Sequence, residues 1–460
     1  MYEVLSQNLK KLAASCPFPL YIVGGRVRDF IAGLEPDKTD TDLCAPASAE
    51  DFIFCALGCG FTVNAVYKNT GTVKIQLGEE DYEFTSFRSD EYVRGEHVPA
   101  HIYFTDDILL DARRRDFKCN AVYYYINEKR FVDPLGGISD IDNKRLDTVA
   151  PPEKVFGEDG LRLMRLARIS AQTGFLPTAE CLNAAHMHSE LIRDVSIERV
   201  SAELKLILHA DGRYGLDLAH YTGLKILKNT GVLQILLPEL CAGEKMVQRK
   251  DIHKYDVLEH SLRCAAYADP SIRLAALLHD VGKPYCLKEL KTFAGHDEEG
   301  ARIAAEICGR LKIPKKRTEE IVRLINVHMY DFRGDAKENK VRKFIVENID
   351  IFDKILYIKQ ADYSACRDDM SLAPSVIKLK GIYEKMREEE LPFTLKELNI
   401  RGDDLLTLGF PPEEVGTTLK SLLLDCSIKL VPNEKQKLYV RAYKVYLVPL
   451  QQKTVEDKSE

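Results

Sequence analysis

The run Gly24-Gly25-Arg26-Val27-Arg28-Asp29 is followed by Asp40-Thr41-Asp42, a glycine pair and then two carboxylates one residue apart. Alternate residues at a strand end project to the same side, so Asp40 and Asp42 can share divalent cations, which take carboxylate oxygens. Glycines just upstream let backbone N–H groups come close to a triphosphate, and the apolar stretch Leu20 to Val23 reads as the strand that leads into them. Separately each piece is common, since Gly-Gly usually marks a turn and Asp-x-Asp a solvated loop or a helix cap. Together, at this spacing, they bring metal ions beside phosphates, and the chemistry expected is nucleotidyl transfer.

Farther along, Arg114-Arg115-Asp116 precedes the run Ala121 to Ile126, read as a strand. Two arginines at a strand start can clamp phosphate bidentately, with Asp116 holding one of them in place. In the segment Glu158 to Arg168, helical spacing steps Asp159, Arg162 and Arg165 by three, while Leu163, Leu166 and Ala167 form a separate apolar stripe. The polar stripe can read a base. A carboxylate accepts from an exocyclic amine and a guanidinium donates to a ring nitrogen, an order that cytosine (N4, N3) and adenine (N6, N1) both satisfy. Uracil and guanine present a carbonyl beside an N–H, and would leave buried groups unpaired at roughly 1–3 kcal/mol each. The bland alternative is an i,i+3 ion pair on a solvated helix, worth tenths of a kcal/mol.

A second set, His260, His279-Asp280, His296, His328 and Asp362, is spread along helical sequence. Imidazoles and carboxylates this far apart converge only through packing, unlike a linear finger motif. A lone histidine in a stretch such as Ala275-Ala276-Leu277-Leu278-His279 is more often a satisfied core group; the ordered set of six is what points to metal ligation.

The elements that must position these residues fall into a mixed head and a helical body. Thr72 to Leu77 and Tyr82 to Phe87 alternate around a turn, and Ala121 to Ile126 with Glu128 to Val132 forms a second hairpin pattern. After Pro151-Pro152 helical periodicity runs almost to the end. The fold class expected is α+β, a nucleotidyltransferase head with a mixed β-sheet and helices followed by an all-α body. The divisions expected are 1–150 for the head, 151–245 for a base-templating and RNA-binding helical neck, 246–390 for a metal-binding domain, 391–450 for a C-terminal helical segment and 451–460 for a flexible tail. At 460 residues the chain exceeds one hydrophobic core. No apolar run is long enough to span a bilayer and the first residues lack a signal-peptide core, so a cytoplasmic protein without membrane partners is expected. Twelve cysteines without a Cys-x-x-Cys read as reduced packing residues. A net charge of −6 argues against a basic coat for nucleic acid, confining a polyanion to clusters such as Arg113-Arg114-Arg115 and Arg162, Arg165 and Arg168. Oligomeric state is not legible.

In order, GGRVRD, DTD, RRDFKCNA, DPLGG, EDGLRLMRLAR and SIERVSAEL resemble the class II tRNA nucleotidyltransferases, the CCA-adding enzymes and bacterial poly(A) polymerases. The resemblance implies that Asp40 and Asp42 bind Mg2+ and that Gly24, Gly25 and Arg28 hold the triphosphate. It further implies that Arg114 and Arg115 bind the nucleotide, that Asp159 and Arg162 template the base, and that Arg165 and Arg168 support phosphate or primer. Lys118 and Cys119 depart from the family's usual residues, as does Arg26. A third carboxylate is not evident, Glu83 being equally an exposed strand residue. The length between Arg88 and Arg114 resembles the flexible loop of full CCA-adding members, so addition of CCA to tRNA from CTP and ATP is favoured over poly(A) or A-only addition.

The segments YDVLEHSL, LAALLHDVGKP, FAGHDEEGA, INVHM and KQADYSA resemble the HD phosphohydrolases. This implies a core of His260, His279, Asp280 and Asp362, with His296 and His328 permitting a second divalent transition metal, Lys283 facing phosphate, and phosphodiesterase action on RNA ends. The segment 391–450 resembles the tRNA-holding end of bacterial CCA-adding enzymes, although Lys420, Lys429 and Lys435 can equally face water. A chain that is chiefly an HD phosphohydrolase with a nucleotide-binding head is the alternative from another class.

Overall fold

Most strands are rich in β-branched and aromatic residues, the polar β6 being an exception: β1 (Tyr21–Val23), β2 (Thr41–Ala45), β3 (Thr62–Tyr67), β4 (Thr72–Leu77), β5 (Glu80–Ser86), β6 (Arg88–Glu91), β7 (His101–Phe104), β8 (Tyr123–Tyr125) and β9 (Arg130–Val132). This computed structural model describes residues 1, 3, 5–34, 41–92 and 100–447. Asp40, the tail expected over 451–460 and residues 93–99 of the segment read as a flexible loop lie outside the described residues. The chain divides into two units, Met1–Gly243 with Glu306–Pro314, and Glu244–Ala305 with Lys315–Glu460.

In the first unit a seven-stranded mixed sheet runs β3-β4-β5-β2-β1-β8-β9. Both hairpins expected from the sequence form, β4 with β5 and β8 with β9, each antiparallel. Antiparallel pairing sets Val23 of β1 against Asp42 of β2, and parallel pairing sets Asp42 against Glu83 of β5. Along β2 burial rises from exposed Asp42 to buried Leu43, Cys44 and Ala45, so the strand leaves the core at its carboxylate end. Behind it Val23, Cys44, Phe87 and Tyr123 share one apolar cluster, and the rings of Phe52 and Phe84 stack at 3.8 Å. This burial anchors the strand whose exposed end carries Asp42.

Helices follow from Pro152 onward. Leu161–Thr173 packs on Ile197–Leu208 and Ala219–Asn229, and ends at Gly174, whose φ of +73° suits a residue without a Cβ. The second unit is helical in its described residues. Its centre is Val257–Tyr267, packed on Arg273–Leu278 and Phe352–Arg367. All twelve cysteines are free, ten of them buried, as the reduced reading expects. No described helix is long and apolar enough to cross a membrane.

Candidate active sites

The first site opens where β1 and β2 end. Gly24 has φ +79°, and a Cβ there would lie 3.1 Å from Asp42 Oδ2, so the glycine turn comes against the carboxylate as only glycine allows. Gly24, Gly25, Arg28, Asp42, Arg114, Arg115, Asp159, Arg162, Arg165 and Arg168 all line one cleft of about 480 Å³. Nine arginines and four aspartates line it in all, an excess of positive charge suited to a triphosphate.

The arginines are held in place, and not always by the expected partner. Arg114 and Arg115 follow the helix Ile108–Arg113 rather than starting a strand. Asp111, three and four residues earlier and fully buried, accepts from Arg114 Nε at 2.8 Å and from Arg115 Nη2 at 3.0 Å. Tyr123 adds a hydroxyl donor to Asp111 at 2.7 Å. The role expected of Asp116 is therefore corrected: its carboxylate accepts from Arg165 Nε at 2.7 Å and from the Phe117 amide at 2.8 Å. Burial opposes that charge, but Arg165 and these donors hold the Asp116 carboxyl well below the usual range. Arg28 is buried, its guanidinium donating to Asp29 at 2.9 Å and to Asn120 at 2.7 Å. Arg168 donates to Glu203 at 2.6 Å.

The helical step of Asp159, Arg162 and Arg165 is also corrected. Asp159 lies between helices Pro152–Glu158 and Leu161–Thr173 with an extended backbone, φ −146°. It accepts from the Leu161 amide at 2.9 Å, and its other oxygen is 3.5 Å from Arg199. Arg162 points elsewhere, donating to Glu158 at 2.8 Å and to the carbonyls of Val155 and Arg114 at 2.9 Å each. Its guanidinium lies 5.6 Å from the ring centre of Tyr92. The two base-reading candidates thus share a cleft, but Arg162 is parked on protein acceptors.

The second site lies in the second unit. Nε2 of His260 is 3.0 Å from Asp362 Oδ1 and 3.2 Å from Nε2 of His279. Asp280 Oδ2 lies 3.3 Å from His279 Nε2 and 3.5 Å from His260 Nε2, while Oδ1 lies 3.3 Å from His296 and 3.9 Å from His328. One carboxylate therefore spans two ligand groups. His279, His296 and His328 each direct Nδ1 at the carbonyl three residues back, at 2.8, 2.7 and 2.6 Å, which turns Nε2 inward. Close backbone approach makes this convergence feasible: a Cβ on Gly282 would lie 2.3 Å from the His296 carbonyl oxygen. Lys283 donates to Asp280 at 2.6 Å and to Gln248 at 2.7 Å.

A divalent ion fits these donors. Metal–nitrogen bonds of the usual length put ligand nitrogens about 3.3 Å apart around a tetrahedral ion, and Nε2 of His296 and His328 are buried without a hydrogen-bond partner among the described residues. Burial, then the neighbouring His279, lowers His328 to about 3, leaving a neutral imidazole. Burial works against a charge on His279 too, but the Asp280 carboxylate raises it well above the ordinary value.

Three stretches match known families: residues 20–147 the poly A polymerase head domain, 174–243 the probable RNA and SrmB-binding site of polymerase A, and 257–358 the HD domain. An A-adding tRNA nucleotidyltransferase of Deinococcus radiodurans is 29% identical over 433 residues, covering 88% of this chain and 91% of the relative. The chain belongs to the class II tRNA nucleotidyltransferases, with an HD domain. A CCA-adding enzyme of Staphylococcus epidermidis is 33% identical over 210 residues, 45% of this chain and 50% of that enzyme. The CCA-adding enzyme of Bacillus stearothermophilus solved with CTP shares the fold, with a TM-score of 0.66 at 20% identity over 99% of this chain and all of that one.

In this nucleotidyltransferase, sequence reasoning missed Asp111, although its i,i+3 and i,i+4 spacing to Arg114 and Arg115 was there to find. It also missed Tyr92, Gln248, and the tie of Asp29 to Tyr214 and Arg213. Those partners are remote in sequence and leave no local signal. Two of the three C-terminal lysines are ion-paired, Lys429 with Glu389 at 2.7 Å and Lys435 with Asp404 at 2.9 Å.

Proposed function

We propose that the chain adds CCA to tRNA 3′ ends from CTP and ATP: the RNA 3′-hydroxyl attacks the nucleotide α-phosphate and pyrophosphate leaves. The observation that carries this reading is the meeting of Asp42, the Gly24 turn, and Arg114 and Arg115 at one cleft. Carboxylate oxygens are hard donors suited to Mg2+, with Asp40 and Asp42 as the proposed pair and Glu83 beside Asp42. Mg2+ held by these residues would lower the pKa of the attacking hydroxyl and stabilise the leaving oxygens. Arg114 and Arg115, fixed by Asp111, neutralise the triphosphate without having to be ordered on binding. Arg165 and Arg168 hold the far side of the cleft against nucleotide or primer. To read a base, Arg162 exchanges Glu158 and two carbonyls for a ring nitrogen, and Asp159 exchanges Arg199 for an exocyclic amine. The HD centre would act on phosphoesters at RNA ends, where a divalent transition metal supplies Lewis acidity and Lys283 a nearby positive charge. Free cysteines and the lack of a spanning helix among the described residues agree with a cytoplasmic setting.

A-only addition is a second reading, supported by the A-adding relative aligned along 88% of the chain. Labelled CTP, ATP, UTP and GTP offered with tRNAs ending before CCA, after C and after CC distinguish the two. Ordered C, C, A addition is the expected result. A single A placed only on tRNA ending in CC selects the second reading, and long A tails indicate a poly(A) polymerase. No incorporation by metal-loaded protein overturns the proposal in favour of an HD phosphohydrolase with a nucleotide-binding head.

A further inference from the structure

Beside the HD centre, His253 and Cys366, which its described chemistry leaves unused, come together with His260. His253 Nδ1 lies 3.5 Å from Cys366 Sγ, and the ring of His253 stands edge-on to that of His260 with centres 4.9 Å apart. One ligand atom from each of His253, His260 and Cys366 lies within 4.8 Å of the other two. Neither His253 nor Cys366 falls in the stretch that matches the HD domain, residues 257–358.

His260 differs from the other inward-facing histidines. Nδ1 of His279, His296 and His328 is fixed by a backbone carbonyl, whereas Nδ1 of His260 is buried with no hydrogen-bond partner among the described residues. A fully buried imidazole nitrogen left unpaired is costly unless it serves a ligand. Its Nε2 already faces Asp362 and His279, so the unpartnered nitrogen is the one available to the His253 and Cys366 side. Spacing agrees with a shared ion. Bonds of the usual zinc–nitrogen and zinc–sulfur lengths set nitrogen and sulfur about 3.6 Å apart across a tetrahedral angle, against the 3.5 Å between His253 and Cys366.

The two outer ligands are braced against each other by backbone. The Lys254 amide donates to the Cys366 carbonyl at 2.8 Å, and the Arg367 guanidinium donates to the Ile252 carbonyl at 3.0 Å. Residues on either side of His253 and Cys366 are thus tied together, which is the support a ligand pair needs to keep its geometry.

We propose that His253, His260 and Cys366 form an additional binding site for a thiophilic divalent cation, adjoining the HD centre, with His260 offering Nδ1 here and Nε2 there. Two imidazoles and a thiolate select zinc or cobalt over magnesium. Coordination removes the Cys366 thiol proton, and ligation through both nitrogens of His260 removes its ring proton as well, leaving a bridging imidazolate; both protons pass to bulk buffer.

Cobalt is the probe. Full-length protein stripped with chelator and titrated with Co2+ under reducing, anaerobic conditions is expected to show a near-ultraviolet thiolate-to-cobalt charge-transfer band. Cys366→Ser should lose that band and bind one fewer equivalent of metal by elemental analysis, and His253→Ala should weaken cobalt binding at least tenfold. Cys59→Ser, at the other incompletely buried cysteine, should keep the band. Circular dichroism verifies that each variant is folded, and if Cys366→Ser is not, His253→Ala carries the test. Absence of the band in saturated wild-type protein, its survival in folded Cys366→Ser, or unchanged cobalt affinity in His253→Ala overturns the proposal. Cobalt bound without a thiolate band would leave the HD centre as the site and refute only this extension.

Discussion

Asp42 and Glu83 stand opposite one another on the neighbouring parallel strands β2 and β5. Register partners on a parallel pair carry their side chains on the same face, so the glutamate sets a second carboxylate beside Asp42 at the tip of β2, where a proposed Mg2+ would find another hard oxygen donor. Glu83 also pairs with Lys74 at 3.2 Å, but both side chains are about half exposed, and such a pair is worth little to stability. Asp42→Ala is expected to abolish nucleotide incorporation without lowering the melting temperature. Glu83→Gln should raise the Mg2+ concentration for half-maximal incorporation about tenfold or more. Lys74→Ala, which removes only the ion pair, should leave that concentration unchanged; a magnesium titration of the three variants checks this.

Asp111 is the hinge of the arginine clamp. Burial opposes its charge, yet Arg115 and Arg114, with the Tyr123 hydroxyl, lower it to about 2. Its folded value lies below the unfolded one, so its contribution is fully present above the ordinary carboxylate range and is lost as pH falls through about 2. From the size of that shift the contribution is about 2.5 kcal/mol at neutral pH. Asp111→Asn should lose stability of about that order in urea unfolding at pH 7, with a smaller loss of stability than wild type on acidification from pH 4 to 2. It should also weaken nucleotide affinity, because Arg114 and Arg115 lose their common brace.

Much of the fold was legible locally: the hairpin β4–β5, the strand before Gly24 and the helices after Pro152 all follow from short-range pattern. The convergence of His260, His279, Asp280, His296, His328 and Asp362 was legible as types and order, because imidazoles are rare enough in such runs to stand out. What was not legible is pairing at a distance. Asp116 sits next to Arg115 in sequence but is claimed by Arg165, and Asp159 drops off the helical ladder because its backbone turns extended just before Gly160. His253 and Cys366 were invisible for the same reason, since the contact exists only once Phe352–Arg367 packs beside the chain preceding Val257.

Arg162 supplies a specificity test. Its acceptors in the cleft are Glu158 and two carbonyls, so base selection depends on exchanging these for a Watson–Crick edge. A mismatched base leaves one or two buried groups unpaired, at roughly 1–3 kcal/mol each, or about 5- to 150-fold in discrimination per group. Arg162→Ala and Asp159→Ala should each lower the preference for CTP and ATP over UTP and GTP by a factor in that range. Competition between labelled triphosphates on one tRNA measures it, and equal loss of all four substrates would assign these residues to positioning instead.

Metal removal separates the two centres. The cleft offers carboxylate oxygens, whereas the HD centre is built mainly of imidazole, with His328 neutral and lowered to about 3 by burial and by His279. His279 runs the other way: burial opposes its proton, but Asp280 raises it well above the ordinary value, and that proton must leave before Nε2 can ligate. Metal affinity at the HD centre should therefore rise as pH climbs above the ordinary imidazole range, and the dependence should flatten in His279→Ala, which also loses tight binding. After exhaustive chelation, Mg2+ alone should restore nucleotide incorporation but not phosphodiesterase action on a 2′,3′-cyclic phosphate substrate. Adding back a transition metal should restore the latter, and recovery of both activities by Mg2+ alone would rule out the division of metals argued from these ligands.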